Sequence, residues 1–72
     1  MVNINKLKGK IVEKEMTIGK VADKMGIDRA TLYRRMKDKG ETFTIGEARA
    51  IAEILALTPQ EATAIFFSQY VA

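Results

Sequence analysis

An all-α fold of five short helices is predicted, on three observations. Apolar residues recur at helical spacing along most of the 72 residues. Threonines at helix-cap spacing mark the starts and glycines mark several of the ends. No segment alternates convincingly at period two, so no sheet is expected. A chain of this length forms one small domain, assigned to residues 1–72.

The first helix is expected over 4–14, with Ile4, Leu7 and Ile11 on one stripe. Gly9 weakens it by about 1 kcal/mol relative to Ala. Thr17 is an N-cap for a second helix over 18–25, in which Val21, Ala22 and Met25 turn inward. Gly26 stops that helix by adopting a positive φ, and Ile27 fills the turn. Asp28 can cap a third helix over 29–38, which Gly40 ends. Thr44-Ile45-Gly46-Glu47 is a capping box that opens a fourth helix over 45–56, with Ala48, Ile51, Ala52 and Leu55 on one face. Thr58-Pro59-Gln60-Glu61 is a second box, with proline at the first helical position, and opens a fifth helix over 59–68. Ile65 and Phe66 complete the core. Met1, Met16, Met25 and Met36 read as core or terminal residues.

Charge is divided unevenly. The chain holds 12 Lys+Arg and 9 Asp+Glu, a net charge of +3. Residues 1–40 carry eleven of the cations and five of the acids; residues 41–72 carry one cation, Arg49, and four acids. The basic half fits a polyanion partner, or else a lysine-rich solvated surface. With no Cys and no His, there is no disulfide framework, zinc staple, thiolate or imidazole. The acids form no obvious pair, and no glycine-rich phosphate loop appears. The expectation is therefore a non-enzymatic protein without cofactor or metal. No window approaches the roughly 18 apolar residues of a membrane span, and no signal-peptide core follows the first lysines, so a cytoplasmic protein with no membrane partner is expected.

The informative stretch runs from Thr17 to Asp38, TIGKVADKMGIDRATLYRRMKD. Two helices joined by a tight glycine turn form a helix-turn-helix unit, held at its angle by Ala22, Ile27 and Leu32. On the second helix of the pair, Leu32 and Met36 define the inner face. Ala30, Arg34 and Lys37 fall opposite, Tyr33 flanks them, and Arg29 stands in the first turn. An Arg fork can pair with guanine O6 and N7. Arg35, Lys37 and Lys39 suit phosphates, which position without specifying. Arg34 and Asp38 are also spaced i, i+4, the spacing of an ordinary helical ion pair.

Val-Ala-Asp-Lys-Met-Gly at 21–26 and Asp-Arg-Ala-Thr-Leu-Tyr-Arg-Arg-Met at 28–36 resemble the lambda-repressor-like and Cro-like helix-turn-helix domains of phage and bacterial regulators. The resemblance covers nearly the whole chain. It implies a five-helix domain and base contacts from Arg29, Ala30, Tyr33 and Arg34. It implies phosphate contacts around Thr17, Gly19 and Lys20, and from Lys37 and the loop from Lys39 to Thr44. Ile18 stands where many members have Gln, and Asp28 where the recognition helix usually opens with Ser, Thr or Gln. A regulator of this kind binds an operator in double-stranded DNA as a homodimer in the bacterial host cytoplasm. The alternative is an antirepressor that binds a phage repressor protein through the helix-turn-helix surface or an apolar tail. That tail, 62–72, has no charge and three of the five aromatics. Phe67, Tyr70 and Val71 cannot all face inward, so they are candidates for a protein interface.

Overall fold

Among the described residues, five helices form in the expected order. The computed structural model describes residues 2–38 and 43–67. In chain order they are α1 (Ile4–Glu13), α2 (Ile18–Met25), α3 (Arg29–Lys37), α4 (Ile45–Ile54) and α5 (Pro59–Phe66), with no strand among the described residues. The expected stop at Gly40 lies outside the described residues, as does Ser68, the last residue expected in the fifth helix.

The starts follow local chemistry. Thr17 Oγ1 accepts from the Lys20 N–H at 3.1 Å. Both capping boxes close: Thr44 Oγ1 accepts from the Glu47 N–H while Glu47 accepts from the Thr44 N–H, and Thr58 and Glu61 do the same. Asp28 departs from expectation, since it precedes α3 in extended geometry but its side chain makes no capping hydrogen bond. Asn3, unremarked in the sequence, caps α1 by accepting from the Lys6 N–H.

Four of the ends fall short of the predicted ones, α3 at Lys37 rather than residue 38 and α5 at Phe66 rather than residue 68 among them. α1 stops at Glu13 rather than residue 14, and α4 at Ile54 rather than residue 56. α1 and α4 each end in a left-handed residue that is not glycine, Glu15 at φ 57° and Ala56 at φ 50°. The Met16 N–H donates to the Ile11 carbonyl and the Glu15 N–H to the Val12 carbonyl. Leu57 with Ala52, and Ala56 with Glu53, repeat the pattern. These are Schellman closures, with Met16 and Leu57 turned back against the core. Gly26, at φ 75°, closes α2 in the same way.

The core is Leu7, Ile11, Val21, Ala22, Leu32, Met36, Ile51, Leu55, Ile65 and Phe66. Each Leu, Ile, Phe or Met held there contributes about 1.5–3 kcal/mol relative to exposure. Phe43 meets Phe66 edge to face, ring centroids 6.2 Å apart. α2 packs on both α3 and α4, and α1 on α5. The Asn3 N–H donates to the Ile65 carbonyl at 2.7 Å, and Lys10 pairs with Glu61, so α1 and α5 are joined at both ends of their contact.

Candidate nucleic-acid interface

The α2–α3 unit is set by its turn. The Ile27 N–H donates to the Ala22 carbonyl at 3.1 Å, and Gly26 donates to Asp23 at 3.2 Å, which reverses the chain within three residues of α2. Ala22 is wholly buried, the small side chain that lets α3 lie close. Leu32 and Met36 then anchor α3 by its inner face. With that face fixed, Ala30, Tyr33, Arg34 and Lys37 are all exposed. Arg34 makes no ion pair with Asp38 among the described residues, so its guanidinium stays available to an outside acceptor.

Two arginines on α3 are held by neighbours. Arg29 Nη2 donates to Asp23 Oδ2 at 3.1 Å, across the turn, with both side chains largely exposed. Its guanidinium lies directly over Gly19, which is buried beneath it. Arg35, expected at a phosphate, reaches the other way: its Nη1 is 3.3 Å from Glu47 Oε1, in the capping box of α4. Only 26% of the Arg35 side chain is exposed. It braces α3 against α4, a role that required knowing which helices pack together.

The remaining residues group by location. Thr17, Gly19 and Lys20 form the start of α2, and Thr44 the start of α4. The Thr17 hydroxyl accepts from the Lys20 N–H, and the Ile18 and Gly19 N–H groups have no partner within the helix. Such a terminus is suited to a phosphate. The first turns of α2 and α3 contain no acidic residue, whereas those of α4 and α5 contain Glu47 and Glu61. The dipoles of α4 and α5 are met by a glutamate of their own, whereas the starts of α2 and α3, like that of α1, carry no such acid and leave the positive ends of α2 and α3 beside the basic surface. Tyr33 is 55% exposed and joins these parts, lining one groove with Arg34 and Lys37 and another with Thr17 and Ile18. Ile18, in place of the polar residue common in the family, gives Tyr33 an apolar wall. Lys39, Tyr70 and Val71 lie outside the described residues.

A small domain that presents one helix by an αL glycine turn, with arginine, tyrosine and lysine on the outward face, is a DNA-binding helix-turn-helix module. Residues 6–65 match the family model of the Cro/C1-type helix-turn-helix DNA-binding domain, and the chain belongs to that family. Comparison with curated proteins and with solved structures gives no significant match. Among the described residues no helix is long and apolar enough to cross a membrane.

Proposed function

We propose that this DNA-binding regulator is the sequence-specific switch protein of a phage-type genetic circuit, Cro-like or repressor-like, which reads the major groove with α3. The observation that carries the reading is the division of α3: Leu32 and Met36 are buried, while Ala30, Tyr33, Arg34 and Lys37 stand out in solvent. Arg29 and Arg34 read guanine, Ala30 and Tyr33 contact base edges, and Lys37, Lys39 and the starts of α2 and α4 hold phosphates. Arg35, paired with Glu47, holds α3 in place rather than meeting a phosphate. The protein acts in the host cytoplasm as a homodimer on a pseudo-palindrome and occludes a promoter.

Binding to operator and random duplexes across a salt series tests this. Log affinity should fall linearly with log salt, by about 0.9 per phosphate neutralised. Arg34→Ala should lose about 1–3 kcal/mol on the operator and relax its preference at one position, whereas Lys37→Ala should weaken binding to all sequences and lower the salt slope by about 1. Weak, salt-insensitive binding to every duplex, beside tight binding to a phage repressor protein, would instead establish the antirepressor. The feature favouring that second reading is the exposed apolar surface of Ile45 and Phe67.

A further inference from the structure

Gly19 lies inside α2, where glycine weakens a helix relative to alanine. Among the described glycines only Gly26 has a positive φ, so backbone conformation does not account for a glycine at 19. Space does. A Cβ on Gly19 would lie 2.9 Å from Arg29 Nε, 3.0 Å from Cζ and 3.1 Å from Cδ. The missing methyl is where the Arg29 guanidinium rests. One turn further along the same face of α2, Asp23 Oδ2 accepts from Arg29 Nη2 at 3.1 Å.

We propose that Gly19 and Asp23 are positioning residues: together they form a seat on α2 that presets the Arg29 guanidinium for the acceptor edge of a guanine. This rests on the reading that α3 binds DNA bases. An arginine ordered before binding loses less rotamer freedom when the complex forms, and that difference strengthens the contact it makes. Asp23 has a second effect. Its carboxylate offsets the Arg29 charge and repels phosphates, so Arg29 adds little to sequence-independent attraction and acts mainly through the base it reads. The seat thus trades general affinity for discrimination.

Selection from a randomised duplex library, with thermal unfolding run in parallel, tests the seat in wild type, Gly19→Ala, Asp23→Asn and Arg29→Ala. The clash at position 19 is with the far end of a flexible side chain, so Gly19→Ala should fold as well as wild type and displace only the guanidinium. Gly19→Ala and Asp23→Asn should each relax, by about two- to tenfold, the same base pairs that Arg29→Ala relaxes, and leave the other positions unchanged. The Gly19→Ala/Arg29→Ala double variant should discriminate no worse than Arg29→Ala alone. Asp23→Asn should also bind random DNA more tightly than wild type, because one negative charge near the phosphates is removed, and its shared base profile with Arg29→Ala is what a merely structural aspartate would not produce. Wild-type base profiles from both folded single variants would overturn the seat while leaving the DNA reading intact. If wild type itself selects no consensus, the DNA reading fails and the seat falls with it.

Discussion

Among the described residues, three sit in the left-handed region, and only one of them is glycine. Gly26 adopts it freely at φ 75°, whereas Glu15 and Ala56 adopt it against the clash of Cβ with the following carbonyl, worth about 1–2 kcal/mol. Their positions are enforced from outside, since Met16 and Leu57 can reach the core only if the preceding residue reverses the helix. The two kinds of site predict opposite results. Gly26→Ala meets no neighbouring atom, so its whole effect is backbone strain, and it should lower stability by about 1 kcal/mol. Ala56→Gly should raise stability by a similar amount, less what the freer unfolded chain returns. For a domain of this size, 1 kcal/mol moves Tm by about 4–8 °C, which thermal unfolding followed by circular dichroism resolves. Equal and small shifts in both variants would show that the turn geometry is relaxed rather than imposed.

At the scale of elements, the starts of the helices were legible in the sequence and their partners were not. Thr17, Thr44 and Thr58 act over three residues, so spacing alone locates α2, α4 and α5. The burial of Leu32 and Met36 was equally legible, because helical periodicity fixes which face of α3 is apolar. The early ends at Glu13 and Ile54 carried no local signal, as Glu15 and Ala56 are ordinary helix formers. The ion pairs Arg29–Asp23, Arg35–Glu47 and Lys10–Glu61 join different helices, so no spacing along one helix reveals them. The last pair has a measurable signature. Hydrogen bonds from Lys10, and then from the Thr58 N–H, hold the Glu61 carboxyl at a pKa of about 2, below its ordinary value of 4.5. A carboxylate depressed on folding stabilises above its unfolded pKa, and that contribution is lost as pH falls toward the folded one. Urea unfolding of wild type and Glu61→Gln should therefore differ at pH 6, converge between pH 4.5 and 2, and coincide below. A difference that persists unchanged at pH 2 would mean that Glu61 acts through its shape and not its charge.

On the proposed homodimer reading, the size of the molecule limits how two copies meet. Its extents are 33 × 23 × 20 Å, and half-sites one helical turn apart are separated by about 34 Å. Two copies whose α3 helices enter successive major grooves on one side of the duplex come close to touching only where their long axes lie along it. The basic half of the sequence supplies the α2–α3 surface, and the mildly acidic half builds α4 and α5, so on that reading a contact away from the DNA would fall on the less charged part. There Ile45 is 73% exposed and Phe67 44% exposed, both lining one shallow groove with Val2, Phe43 and Phe66. Burying such side chains on a second copy would contribute about 25 cal/mol per Å² of apolar area removed from water, before the cost of association. Sequence reasoning named Phe67 and missed Ile45, because Ile45 falls in a capping box and reads there as part of a helix start. Ile45→Glu keeps that start intact, since a carboxylate in the first turn suits the helix dipole. Combined with Phe67→Ser, it should leave Tm nearly unchanged and half-site affinity intact. It should abolish concentration-dependent dimerisation in sedimentation, and cooperative binding to paired half-sites should go with it. Wild type and the double variant sedimenting alike as monomers, with equal cooperativity on DNA, would place the dimer contact elsewhere or remove it altogether.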